Sequence, residues 1–147
     1  MILALLIIDQ SNDHEYFCHK YKTSNSIKER LKKRSDLIWK KPDNVPEDIL
    51  AMTHSKEYID NLNSSFPQRG LKFLDGDTVI SPDSKKAVFD AAGSTIRAID
   101  GIEKKEFKNA FCLARPPGHH AEKDKAMGFC CISNAGVATN YLIKNYK

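Results

Sequence analysis

The pattern of apolar and polar positions changes along this chain, and each pattern predicts a different element. Residues 2–8, ILALLII, are apolar without interruption. With Met1 this makes an eight-residue run, closed by Asp9, too short to span a membrane and without the basic flank of a signal peptide. It predicts a strand covered on both faces, as in a parallel sheet. Residues 9–25 are polar, include His14 and His19, and read as a long loop. From Ser26 the spacing turns helical. Ser26-Ile-Lys-Glu29 matches a capping box, and Ile27, Leu31 and Ile38 follow near one face, predicting a helix to about Trp39, ahead of Pro42. Its other face carries Lys28, Arg30, Lys32, Lys33 and Arg34, which reads first as a solvated basic face.

Pro46 opens a short helix over Glu47 to Met52, and a second begins near Ser55 with Tyr58, Ile59 and Leu62 on it. His54 between them reads as a satisfied structural histidine. Residues 63–80 are punctuated by Pro67, Gly70 and Asp75-Gly-Asp77, and predict a loop. Ser81-Pro82 predicts a helix start with Ser81 as cap. Val88, Ala91, Ala92, Ile96 and Ile99 form its buried stripe, and Gly101 predicts its end. Asn109 to Ala114 predicts a second buried strand, 115–129 a loop, and Ile132 to Tyr146 a last helix packed by Val137, Tyr141 and Leu142. Strand, helices, strand, helix make an α/β domain. Sites in open parallel sheets form at the carboxyl ends of strands, where the loop at 115 departs.

Composition alters this picture little. The 147 residues are 41% hydrophobic and 29% charged, with a net charge of +4. That length predicts one domain with a real core, and the mild charge argues against a dedicated nucleic-acid surface. The four cysteines, Cys18, Cys112, Cys130 and Cys131, form no C-x-x-C pair. Reduced thiols and a cytoplasmic, intracellular setting are expected, with the nucleus left open.

The chemistry concentrates in Arg115-Pro-Pro-Gly-His-His-Ala121 and Gly128-Phe-Cys130. Two prolines stiffen the chain, and Gly118 permits a turn or close approach to another backbone. His119 and His120 then leave a buried strand side by side. Rigidly held imidazoles suit general acid and base roles on one reacting centre. Gly128 and Phe129 suit a close apolar wall. Three readings stay open on residue chemistry alone: catalysis, a metal site shared with Cys130 and Cys131, and a structural loop.

Those residues resemble the histone deacetylase and acetylpolyamine amidohydrolase family, closer to its class II and bacterial branch. Lys28-Glu-Arg-Leu31, Thr53-His54 with Tyr58-Ile59, Asp75-Gly-Asp-Thr78 with Ser81-Pro82, and Asn109-Ala-Phe111 agree in order. The resemblance implies a three-layer open parallel sheet of the arginase/deacetylase type, present as an incomplete N-terminal half. It implies zinc-dependent removal of acetyl from lysine or a polyamine, the substrate being an acetylated protein or an acetylpolyamine. His119 would stand near the attacking water and His120 would act as general base and then acid. Gly128 and Phe129 would line the substrate tunnel, Asp77 (with Asp75 the alternative) would hold substrate at the rim, and Arg30 would brace loops. The family's zinc ligands sit in an Asp-x-Asp-x-His segment that these 147 residues lack, and Ser133 stands where the family has Asn. The resemblance therefore implies zinc in the complete domain, no metal ligand here, residues 1–147 as part of one domain cut before its ligand strand, and little activity alone. A second chain completing the fold, or self-association, is an expected partner; a membrane or direct nucleic-acid partner is not. The other functional reading is a non-catalytic binding or regulatory module derived from the same fold.

Overall fold

A computed structural model describes residues 3–7 and 21–147, with side chains from Ser26 onward. Leu3–Ile7 forms strand β1, inside the predicted apolar run. His14, His19 and Cys18 lie outside the described residues. Helix α1 runs Tyr21–Leu31, five residues earlier at its start than Ser26 predicts. The expected capping box therefore falls inside the helix.

The predicted helix also ends earlier. Leu37–Lys40 is strand β2, parallel to β1 with Leu3 opposite Leu37 and Leu6 opposite Lys40. Leu37-Ile-Trp39 is a short apolar run of bulky and β-branched residues, which suits a pleated surface better than a helix terminus. Ser35-Asp36 separates it from α1, with Arg34 paired to Asp36 across the turn.

Helices α2 (Glu47–Thr53) and α3 (Lys56–Ser65) follow as expected, and Ser55 caps α3 by accepting from the Tyr58 N–H at 3.2 Å. A small antiparallel hairpin, β3 (Lys72–Phe73) and β4 (Val79–Ile80), stands in the segment expected to be loop. Helix α4 spans Ser84–Glu103. Ser81 is not its cap. The Ser84 N–H reaches back to the Ser81 carbonyl at 3.1 Å while Ser84 Oγ accepts from the Ser81 N–H at 2.9 Å.

Gly101 does not end α4 either. Lys105 does, with φ +59°. The Glu106 N–H bonds the Gly101 carbonyl at 2.8 Å and the Lys105 N–H bonds the Ile102 carbonyl at 3.0 Å, a Schellman closure with lysine in the left-handed position. Gly101 serves packing: a Cβ there would lie 1.8 Å from Phe107 Cζ. Strand β5 (Asn109–Leu113) then pairs with β1 in parallel, giving the sheet order β2-β1-β5. Helix α5 (Asn134–Tyr146) closes the described chain, capped by Ser133, whose Oγ accepts from the Gly136 N–H at 3.2 Å.

The core joins Ile49, Leu50, Leu62, Ile80, Val88, Ala92, Ile96, Cys131, Ile132 and Val137. It lies where α2 and α3 meet α4 and α5; of the predicted α4 stripe, Val88, Ala92 and Ile96 join it, while Ala91 is buried outside the cluster and Ile99 is half-buried. Asp100 fastens α4 to α5 by accepting from the Tyr141 and Tyr146 hydroxyls at 2.8 and 2.9 Å. Burial works against its charge, but Lys104 and the two hydroxyls hold its carboxyl below the usual carboxylate range. Among the described residues no helix is long and apolar enough to cross a membrane.

Candidate active site

The loop between β5 and α5 carries the site, and main-chain contacts give it its shape. At its first corner, Gly118 is buried against the start of α5. A Cβ on Gly118 would meet Asn134 N at 2.4 Å and the Ile132 carbonyl oxygen at 2.7 Å. Only glycine lets the two backbones approach that closely. Asn134 Nδ2 also donates to the Pro116 carbonyl at 3.5 Å. The segment leaving this corner presents His119 and His120, both exposed. Their rings lie 4.2 Å apart, tilted by 55°.

The far corner is a tight turn. Met127 and Cys130 exchange both backbone hydrogen bonds, at 3.0 and 2.9 Å. Gly128 and Phe129 between them have φ +58° and +65°, the signature of a type I′ turn. For glycine that conformation is free; for phenylalanine it costs roughly 1–2 kcal/mol. The turn brings Gly128 against the histidines, since a Cβ there would lie 2.7 Å from His120 Cδ2. It leaves Phe129 47% exposed. Cys130 is fully buried behind the turn, accepting from the His120 N–H and donating to the Gly128 carbonyl, both at 3.4 Å.

A second element reaches this turn from the β3–β4 hairpin. The Phe129 N–H donates to Thr78 Oγ1 at 3.1 Å. Thr78 is fully buried and donates in turn to Asp77 at 3.1 Å. Asp75 Oδ1 accepts from the N–H groups of Asp77 (3.0 Å) and Thr78 (2.6 Å), closing the hairpin tip. Burial opposes the charge of Asp75, yet those two N–H groups hold its carboxyl below the usual range. The two aspartates thus differ: Asp75 is spent on the turn, while Asp77 is exposed at the edge of the site. Of the expected site residues, the rings of His119 and His120 are neighbours, Gly128 meets His120, and the Thr78 hydroxyl links the Phe129 N–H to Asp77. Arg30 is exposed on α1 and takes no part in this network.

Two residues that sequence reasoning did not place in the site support it through its main chain. His54 is buried, with Nδ1 3.1 Å from the Lys123 carbonyl and Nε2 3.0 Å from the Ser133 N–H. The structural role expected of it is correct, but it is a support of the histidine loop in particular. Tyr58 donates to the Cys131 carbonyl at 2.6 Å, and burial raises its pKa. No local signal marks either one, because their partners lie far along the chain.

Zinc does not fit the described residues. Among them no three His, Cys, Asp or Glu side chains are grouped to hold a metal ion. Burial, then the neighbouring Cys130, pushes the Cys131 thiol up to about 12. Cys112, Cys130 and Cys131 are free thiols.

A family model described as histone deacetylase domain matches residues 17–147. An uncharacterized protein of Synechocystis is 36% identical over 113 residues, which cover 73% of this chain and 36% of that protein. A probable deacetylase of Methanothermobacter thermautotrophicus is 30% identical over 146 residues, 95% of this chain and 43% of that one. A polyamine deacetylase of Danio rerio is 45% identical over 56 residues, 38% of this chain and 8% of that protein. The crystal structure of the HDA15 HD domain covers 99% of this chain and 44% of its own, with a TM-score of 0.81 and 24% identity. The α/β architecture expected from the sequence is therefore the fold of that domain over the shared part. In each case the chain spans less than half of the relative's length.

Proposed function

This chain belongs to the histone deacetylase family, and on that premise we propose that it supplies the histidine-bearing part of a site that removes acetyl groups from lysine or polyamine nitrogen. The observation that carries the reading is the pair of imidazoles, 4.2 Å apart, with Gly128 pressed against His120 and the exposed Phe129 next to Gly128 in the same turn. Hydrolysis of an acetyl amide needs a proton taken from water as it attacks and a proton given to the departing amine. Adjacent imidazoles suit both transfers near neutral pH. We assign His120, which abuts Gly128, to the base and then acid role, and His119 to holding the attacking water.

The rest of the site fits a long, thin substrate arm. Phe129 offers an apolar face to the methylenes that precede an acetylated nitrogen, and Gly128 leaves them room. Asp77, exposed beside the wall, is placed to accept a hydrogen bond from the substrate main chain. An acetylated protein and an acetylpolyamine both present such an arm. Arg30 is proposed to brace loops from α1. Zinc dependence is proposed for the complete domain only, with ligands that come from polypeptide other than the described residues. The free thiols fit an intracellular setting.

The purified 147-residue chain, assayed on an acetyl-lysine peptide with added zinc, is expected to give no turnover. Joined to the part of the Methanothermobacter relative that lies beyond the aligned stretch, it is expected to hydrolyse the same peptide. His120→Ala should then lower kcat by roughly 10²–10⁴-fold. Turnover by the chain alone would overturn the division of labour. An active fusion indifferent to both His119→Ala and His120→Ala would overturn the histidine assignment and favour a non-catalytic module.

A further inference from the structure

His54 meets the chain on both sides of His119 and His120. Its Nδ1 faces the Lys123 carbonyl, three residues past His120, at 3.1 Å. Its Nε2 faces the Ser133 N–H at 3.0 Å. Ser133 lies between Ile132 and Asn134, the two residues against which Gly118 is pressed. The six-residue segment Gly118 to Lys123 is thus anchored at its start on the α5 entry and at its end on His54. One imidazole ties the two anchors together.

The partners also dictate the proton. A carbonyl can only accept and an N–H can only donate. Nδ1 must therefore carry hydrogen and Nε2 must be bare, so the ring is neutral and locked in one tautomer. The environment agrees: His54 is 1% exposed and burial lowers its pKa. Neighbouring groups add to the clamp without replacing it. The Ser55 N–H shares the Lys123 carbonyl at 3.2 Å, and Tyr58, whose ring centre lies 5.2 Å from that of His54, holds the Cys131 carbonyl. Two adjacent residues of the α2–α3 junction and one turn of α3 are thereby committed to the main chain of the histidine loop. A core histidine needed only for packing would not require two partners of opposite kind on that one loop.

We propose that His54 is a positioning residue for the His119–His120 pair, fixing the segment that carries them through both of its ring nitrogens. This rests on the assignment of those histidines to proton transfer, and it deepens that assignment.

Long-range ¹H–¹⁵N correlation on the labelled 147-residue chain reads the latch without any activity. The expected result at neutral pH is a His54 ring protonated at Nδ1 alone. A ring protonated at Nε2, or an averaged signal, overturns the proposal whatever the variants do. His54→Phe keeps the ring volume and removes both bonds. It is expected to move the His119 and His120 ring signals and to speed exchange of the Ser133 amide about tenfold. His54→Asn, which retains a donor near the Nδ1 position, is expected to fall between the two. Unmoved His119 and His120 signals in a folded His54→Phe chain also overturn it. In the active fusion, His54→Phe should lower kcat about tenfold or more with KM within about twofold. A fusion that loses kcat at His120→Ala but not at His54→Phe defeats the positioning role and leaves the proposed function standing. A fusion indifferent to His120→Ala defeats the proposed function, and the ring signals still judge the latch.

Discussion

Helix α4 presents Val88, Ala92 and Ile96 to the core, whereas the histidine loop presents carbonyls and N–H groups. In the first region, side-chain shape decides the contact, and the backbone is satisfied within the helix. In the second, the backbone pairs with itself only at the Met127–Cys130 turn and between Glu122 and Lys125. Several of its remaining polar groups are taken up by His54, Tyr58 and Thr78, all from other elements. The two regions meet at Cys131 and Ile132, which belong to the loop's end and to the core cluster. A site made this way is stiff without being regular. It should fail one bond at a time, whereas the helical layer should fail as a whole.

The largest expected effect tests the helical side. Ile96→Ala in α4 removes a side chain that is 3% exposed in the central cluster. It should cost about 3 kcal/mol of global stability, read as a lowered denaturation midpoint by circular dichroism. The ring signals of His119 and His120 should not move in the fraction that remains folded. Movement of those signals would mean that packing, too, holds the pair.

Acid should act on the loop side. Burial lowers the pKa of His54 below its ordinary 6.5, although the carbonyls of Lys123 and Glu122 and the charge of Asp124 favour its cation. Tyr58 and Cys131 face the same region and are both held neutral. An unfolded chain therefore takes up a proton at pH values where the folded one refuses it. The contribution is complete above about 6.5 and is lost as pH falls below that, at up to about 1.4 kcal/mol per pH unit. Denaturation midpoints between pH 8 and pH 5 should show this slope, and His54→Phe should flatten it. An unchanged slope in that variant would assign the effect elsewhere. Smaller again, Tyr58→Phe should cost about 1 kcal/mol by leaving the Cys131 carbonyl unpaired. Its effect should appear as faster exchange in the loop before any change in the helices.

The same contrast explains what could be read from the sequence. Periodicity gave α2, α3, α4 and α5 because a helix's contacts repeat along its own residues. The Arg115 to Cys130 stretch was legible as a candidate site because its residue types are rare in that order. Its supports were not: the partners of His54 lie 69 and 79 residues away, and that of Tyr58 lies 73 away. Strand β2 was missed because Leu37-Ile-Trp39 carries apolar residues that also suit a helix face, and only pairing with β1 decides between them. The end of α4 was placed at its glycine, but Phe107 claims Gly101 for packing and leaves Lys105 to turn the chain.

Phe129 is where the two demands collide, and it yields the smallest predicted change. Its φ of +65° is a conformation that suits glycine, and the buried Thr78 hydroxyl and Cys130 hold it there. Phe129→Gly should remove the strain and lose only a half-exposed ring's contacts. The expected net change is a gain of about 0.5–1 kcal/mol in stability. If the ring is the wall of a substrate tunnel, the active fusion carrying this variant should pair that gain with a raised KM. A stabilised variant with unchanged KM would make the strained phenylalanine a feature of the turn alone. A destabilised one would show that its packing outweighs its strain. The sign of the change therefore separates a residue kept for the fold from one kept in spite of it.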